Sequence, residues 1–127
     1  MHERESRKFF FVLFLFLVNE GGYMNFLVQE GEILFVRLPE EIDHYQTRTL
    51  AEWIDDAIFK GEPDKVVFDF SQTRFMDSSG VGLLAGRYQK MKSVGGEVYM
   101  YNVKGHMAKI LKLSGLEKII GKYEEMT

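Results

Sequence analysis

Residues 65–70, KVVFDF, constrain the fold of this chain more than any other stretch. β-Branched and aromatic side chains occupy nearly every position, which is typical of a strand that is apolar on both faces. Such a strand is stable only when other parts of the chain cover both faces. The sequence therefore predicts a central strand in a sheet with helices packed against it.

Further short apolar runs predict the other strands. Residues 26–28 and 33–38 flank Glu30-Gly31-Glu32, and this pattern predicts a β-hairpin with a tight glycine turn. Residues 97–103, EVYMYNV, predict the strand that follows the central one. Residues 116–120 indicate a final short strand or turn.

Three amphipathic segments lie between and after these strands. The first begins after Asp43, a predicted N-cap, and ends near Gly61 and Pro63. The second runs from about Asp77 to Ser93, and the third, HMAKILKLSG, ends at a glycine C-cap. The predicted inward stripes are Leu50, Trp53, Ile54, Ala57 and Ile58, then Val81, Leu84, Tyr88 and Met91, then Met107, Ile110 and Leu111. The order ββαβαβα predicts an α/β domain with a mixed, mostly parallel sheet of about four to five strands and helices packed against it.

The composition excludes several classes of function. A chain of 127 residues with 46% hydrophobic residues suits one folded domain. It has no cysteine, which excludes disulfides, thiol catalysis and cysteine-based zinc sites. The histidines His2, His44 and His106 lack a metal-ligand spacing, and a net charge of -3 without a basic block argues against nucleic acid. We therefore expect no cofactor and no metal, in a cytoplasmic protein whose partners are proteins or small molecules.

Residues 1–23 differ from the rest of the chain. Basic residues precede the apolar run 9–18, as in a signal peptide, but residues 19–22 offer no small-residue cleavage site. The run is about half of the roughly 20 residues that cross a bilayer. The codons for Glu20-Gly21-Gly22 can form a purine-rich ribosome-binding site just before Met24. We expect translation to begin at Met24, so that residues 24–127 form the domain and the Met24 form needs no membrane; a targeting segment or a genuine extra element is the alternative.

The stretch 75–82, FMDSSGVG, joins a strand-like run to the second helix. Asp77 is an N-cap by residue type, Ser78 is then the first helical residue, and Met76 can pack on Val81 as a hydrophobic staple. The nucleophile-elbow pattern G-x-S-x-G is absent, and no histidine is placed by the sequence to act as its base. The phosphate-loop patterns G-x-x-x-x-G-K-[ST] and G-x-G-x-x-G are absent as well. What remains is a helix start, with a serine that another protein could modify.

Gly80, Gly82 and Gly86 are unexpected in a helix, because each costs about 1 kcal/mol relative to alanine. We expect another backbone or another molecule to approach closely here. A phosphate on Ser78 would meet free N–H groups and the positive end of the helix dipole, so the fold would tolerate it. The added charge beside Asp77 would still repel a docked partner. Modification of Ser78 could therefore switch binding without unfolding the chain.

Residues 75–120, FMDSSGVGLLAGRYQKMKSVGGEVYMYNVKGHMAKILKLSGLEKII, resemble the bacterial anti-sigma-factor antagonists. These are single STAS domains, and the resemblance is strongest to the antagonists of the sporulation sigma factor. It extends over residues 24–123, and D-S-S-G is characteristic of the phosphorylatable members. GRY, GGE and SGL-KII follow at matching separations. Pro39-Glu40 stands where a glycine-containing turn is usual, and residues 1–23 have no counterpart.

The resemblance implies a STAS fold and a regulatory function without catalysis. It implies Ser78, the first serine of D-S-S-G, as the phosphorylation site. The implied kinase is an anti-sigma factor that phosphorylates serine with ATP; the unphosphorylated chain binds it and releases the sigma factor. Phosphorylation ends this antagonism, and a PP2C-type phosphatase restores it. The implied partner surface consists of Asp43, His44, Asp77, Ser78, Ser79, Gly80, Leu83 and Arg87.

Several of these residues have simpler interpretations. His44 can be a solvated loop residue, and Ser79 a small neighbour that lets a kinase cleft close. Leu83 and Arg87 are predicted on the outer side of the second helix, where a solvated face is the alternative to a partner contact. The alternative function is a STAS module that binds a nucleotide or lipid-related ligand, or that docks on a membrane or a transporter.

Overall fold

The computed structural model describes residues 27–124. The strands are β1 (Leu27–Glu30), β2 (Ile33–Arg37), β3 (Glu41–Ile42), β4 (Lys65–Asp69), β5 (Phe75–Met76), β6 (Glu97–Tyr101) and β7 (Gly121–Lys122). The helices are α1 (His44–Gly61), α2 (Ser78–Ser93) and α3 (Gly105–Ser114), and a short 3-10 turn follows at Leu116–Lys118. The domain boundary predicted at Met24 lies outside the described residues.

The main sheet of the described residues has five strands in the order β1-β2-β4-β6-β7. β1 pairs antiparallel with β2, and the other neighbouring pairs are parallel. Parallel neighbours need crossover connections, which α1, α2 and α3 supply. This confirms the predicted fold class, a mixed and mostly parallel sheet with helices packed against it.

The predicted hairpin forms β1 and β2. Leu27 pairs with Val36, and Glu30 pairs with Ile33. The turn between them contains Gly31, whose φ of 59° lies in the left-handed region. Glycine adopts this conformation without a steric penalty, so the residue type and the backbone agree.

β4 is covered on both faces, as its sequence predicts. Val66 and Phe68 belong to the core beneath the helices, and Val67 on the opposite face is also fully buried. On that opposite face the ring of Tyr123 contacts three other rings edge-on, those of Phe35, Tyr99 and Tyr101, at centroid distances of 5.8, 6.1 and 6.0 Å. Aromatic side chains therefore protect the face that the main core does not reach.

The predicted inward stripes supply most of the core residues that lie in helices. The fully packed members are Leu50, Ile54, Ala57, Ile58, Leu84, Met91, Met107 and Leu111. The partly buried members are Trp53, Val81, Tyr88 and Ile110. Helix α1 ends as predicted at Gly61, but the left-handed residue that follows is Glu62, with φ of 47°. Gly115 ends α3 with φ of 83°, as predicted for a glycine C-cap.

Candidate functional site

Helices α1 and α2 begin side by side because the short strands before them are paired. β3 and β5 are parallel, with Ile42 opposite Met76. The backbone N–H of Asp77 donates to the carbonyl of Ile42 at 3.1 Å. Asp43 and Asp77, the next residue of each segment, therefore cap neighbouring helices at the same edge of the molecule.

Asp43 is the N-cap of α1, as predicted. One oxygen of its carboxylate accepts from the backbone N–H groups of Tyr45 and Gln46, at 3.0 and 3.1 Å. His44, the first residue of the helix, is exposed, and its ring lies 4.0 Å from the ring of Tyr45. These contacts fix the helix start and leave an imidazole at the surface.

Asp77 is the N-cap of α2, as predicted, and it accepts hydrogen bonds from both donors of Ser79. The same carboxylate oxygen accepts from the Ser79 backbone N–H at 2.9 Å and from the Ser79 hydroxyl. The hydrogen bond from the Ser79 hydroxyl holds the pKa of Asp77 below its usual value, because it stabilises the ionised form. Backbone N–H groups of Ser79, Gly80 and His44 lower the pKa further, whereas partial burial raises it. Asp77 is therefore a carboxylate at neutral pH.

Ser78 and Ser79 differ in environment although they are adjacent. Ser78 is exposed, and its hydroxyl has no hydrogen-bond partner within residues 27–124. Ser79 is half-buried, and its hydroxyl is bound to Asp77. Only the first of the two hydroxyls is thus both accessible and free.

The three glycines of α2 do not serve the same purpose. Gly80 is buried, and a Cβ at this position would lie 2.1 Å from Cγ of Met76 and 3.1 Å from Cγ2 of Ile42. A Cβ at Gly82 or Gly86 would meet nothing within 4 Å. The predicted close approach is therefore internal at Gly80, where α2 contacts β3 and β5. Gly82 and Gly86 leave the helix surface open.

Leu83 does not lie on the outer side of α2, and that prediction is wrong. Its side chain is 4% exposed and belongs to the core, together with its neighbour Leu84. The inward stripe of α2 is broader than the three- and four-residue spacing suggested, because this helix packs against both α1 and the sheet. Leu83 consequently stabilises the fold and is not part of the accessible surface.

Arg87 does not lie on a solvated face either. Its side chain is 14% exposed, and Nε lies 2.9 Å from Oδ1 of Asp55 in α1. Nζ of Lys90 lies 3.2 Å from the other oxygen of the same carboxylate. Sequence reasoning missed Asp55 because the pairing depends on α1 and α2 being neighbours. Arg87 is therefore an interhelical contact that joins the two capped helices.

Replacing Arg87 with alanine should lower the free energy of unfolding by about 1 to 2 kcal/mol, because a partly buried carboxylate loses its better partner. Urea denaturation of Arg87→Ala measures this. Lys90→Ala is the matched control, since Lys90 binds the same carboxylate but is 46% exposed, and it should cost less than about 0.5 kcal/mol. Equal stability of Arg87→Ala and the native chain would contradict an interhelical role.

Two exposed aromatic residues near the helix starts were not predicted. Tyr45 is 80% exposed and Phe75 is 49% exposed. Phe75 alternates with the buried Met76, and this alternation is the sequence signal for its outward direction. Exposed aromatic rings are typical of protein interfaces. We call His44, Tyr45, Phe75, Ser78 and Gly82 the helix-start surface.

No helix within residues 27–124 is long and apolar enough to cross a membrane. The same residues contain no group of three or more histidine, cysteine, aspartate or glutamate side chains that could hold a metal ion.

Comparison with known proteins identifies a matching family and relatives of stated function. The STAS domain family matches residues 26–126. An anti-sigma F factor antagonist of Paenibacillus polymyxa is 35% identical over 92 residues, which are 72% of this chain and 79% of that protein. The anti-sigma-B factor antagonist of Bacillus subtilis is 26% identical over 85 residues, covering 67% and 76% of the two chains.

Solved structures of one antagonist, SpoIIAA, are similar to this chain in two chemical forms. The unphosphorylated form is 29% identical with a TM-score of 0.64, over 79% of this chain and 87% of the other. The phosphorylated form, described as a Bacillus cell fate determinant, is 33% identical with a TM-score of 0.63, over 78% and 90%. The chain is therefore about equally similar to the unphosphorylated and the phosphorylated form.

Proposed function

The chain belongs to the STAS domain family of anti-sigma factor antagonists, and we propose that phosphorylation of Ser78 switches its binding to an anti-sigma factor. In the unphosphorylated form the chain binds an anti-sigma factor that is also a serine kinase, and the sigma factor is released. Phosphorylation of Ser78 ends this binding, and a PP2C-type phosphatase restores it. Sporulation is the process in which we expect this sigma factor to act.

The observation that carries the proposal is the exposed hydroxyl of Ser78 at the first turn of α2, which has no hydrogen-bond partner within residues 27–124. The chain contributes this acceptor, and the kinase contributes ATP and the phosphoryl-transfer machinery. The paired starts of the two helices also present exposed His44, Tyr45 and Phe75. A kinase that docks on the helix-start surface would therefore meet the hydroxyl directly.

Electrostatics supports a switch that changes binding but not the fold. A phosphate on Ser78 adds a charge of about -1.5 to -2 next to the carboxylate of Asp77. The positive end of the helix dipole offsets part of this charge within the domain. We expect a partner that docks on the same surface to lack this compensation. The equal likeness of this chain to phosphorylated and unphosphorylated SpoIIAA supports the same view.

Incubation with the cognate anti-sigma kinase and ATP tests the proposal. Intact mass spectrometry should find one added phosphate in the native chain and in Ser79→Ala, and none in Ser78→Ala. Both variants keep the cap Asp77 and change one small hydroxyl residue, so they are matched to each other. Absence of phosphate from both serines of the native chain would remove the proposal.

Substitutions at Gly82 and Gly86 distinguish effects on stability from effects on kinase binding. Alanine at either position should raise the free energy of unfolding by up to about 1 kcal/mol, since it is the better helix former and the added Cβ meets nothing. A longer side chain at Gly82, as in Gly82→Gln, should weaken kinase binding roughly tenfold or more, because it occupies the space in which the partner docks. Calorimetry of the purified complex measures the affinity. Full affinity of Gly82→Gln would exclude this part of α2 from the interface.

A further inference from the structure

Ser78 and Ser79 carry the same hydroxyl group, so the choice between them needs a physical cause. Both lie in the first turn of α2, next to each other in the chain. Exposure favours Ser78, but Ser79 is only half-buried and a kinase cleft could reach it. The larger difference between the two serines is the hydrogen bond that the Ser79 hydroxyl donates to the carboxylate of Asp77.

We infer that Asp77 selects the acceptor, because by binding the Ser79 hydroxyl it leaves Ser78 as the hydroxyl free to attack. This inference rests on the proposed function, since it concerns the same phosphoryl transfer. Asp77 is a positioning residue here: it restrains the competing hydroxyl and does not take part in the reaction at Ser78. Its function as N-cap alone would not require the contact with the Ser79 side chain, because the backbone N–H of Ser79 already fills the cap at 2.9 Å.

The chemistry of the transfer explains why this contact matters. A bond forms between the serine Oγ and the γ-phosphorus of ATP, the bond from that phosphorus to the β-phosphate oxygen breaks, and ADP leaves. The hydroxyl proton passes to a base of the kinase. At Ser79 the proton is already directed to Asp77, and the hydrogen bond to a charged acceptor must be broken before the kinase base can receive it.

Charge opposes reaction at Ser79 as well. The carboxylate of Asp77 is in hydrogen-bond contact with the Ser79 oxygen, so an incoming γ-phosphate would be placed directly beside a negative charge. The Ser78 hydroxyl has no partner within residues 27–124 and extends into solvent. Asp77 also repels a phosphate at Ser78, but it makes no hydrogen bond to that hydroxyl, so the combined hindrance is larger at Ser79.

Site-resolved mass spectrometry after reaction with the cognate anti-sigma kinase and ATP tests this inference. The informative variant is Asp77→Gly, because glycine is an accepted N-cap residue but has no side chain to bind Ser79. The share of phosphate on Ser79 should rise roughly tenfold over the native chain, as expected for loss of one hydrogen bond to a charged group. In the Ser78→Ala background, Asp77→Gly should gain phosphate at Ser79 that Ser78→Ala alone lacks.

Asp77→Asn is the conservative control and also a second route to the answer if the glycine variant folds poorly. Its amide oxygen still caps the helix and accepts from Ser79 but carries no charge, so the share on Ser79 should lie between those of the native chain and Asp77→Gly. Phosphate on Ser78 alone in both variants would overturn the inference while leaving the proposed function intact. No phosphate on either serine of the native chain would overturn the proposed function itself.

Discussion

Replacing Gly80 with alanine should lower the free energy of unfolding by about 1 to 3 kcal/mol, although alanine is the better helix former. The added Cβ would lie 2.1 Å from Cγ and 2.7 Å from Sδ of Met76, and 3.1 Å from a methyl group of Ile42. Both neighbours are buried in strands β5 and β3, so either side chain would have to shift within the packed core. The cost should be visible in urea denaturation as a lower midpoint with an unchanged slope.

Gly82→Ala is the matched control for Gly80→Ala. The substitution is the same and lies two residues along the same helix, but its Cβ meets nothing within 4 Å. It should leave stability unchanged or raise it by up to about 1 kcal/mol. The free energy of unfolding of Gly80→Ala should therefore lie at least about 1 kcal/mol below that of Gly82→Ala. A Gly80→Ala variant as stable as the native chain would contradict close packing of Gly80 against Met76 and Ile42.

The glycines also illustrate how far the sequence could predict this site. Helix propensity alone indicated that another group closely approaches the start of α2, but it predicted this approach equally for Gly80 and Gly82. Their difference depends on the pairing of β3 with β5, strands of two residues each. Two residues carry too little periodicity for a strand to be predicted, so this small sheet was missed.

Local chemistry was sufficient elsewhere. Asp43 and Asp77 were predicted as N-caps from residue type and position, and both accept the expected backbone N–H groups. The hairpin turn at Gly31 and the central strand β4 were predicted for similar local reasons. The outer side of α2 was predicted wrongly, because Leu83 and Arg87 face neighbours that are set by how the helices pack. Caps and turns depend on a few adjacent residues, whereas a helix face depends on the whole domain.

Replacing Ser78 with aspartate should weaken binding to the anti-sigma kinase roughly 10- to 100-fold, as expected when a charge without a partner is added within an interface. The new carboxylate would lie beside Asp77, whose pKa the Ser79 hydroxyl holds below its usual value. At the N-terminus of α2 the same charge is favourable for the helix, so the stability of the domain should be unchanged or slightly higher.

Ser78→Asn is the control that separates charge from shape, because asparagine has nearly the same size as aspartate and carries no charge. Its affinity for the kinase should lie within a few-fold of the affinity of Ser78→Ala. Raising the salt concentration should narrow the difference between the aspartate and asparagine variants, since ions screen exposed charges over about 10 Å at 0.1 M. If both variants bind equally weakly at every salt concentration, the size of the side chain at position 78 weakens binding, and the switch does not depend on charge. If both bind as tightly as the native chain, Ser78 lies outside the interface.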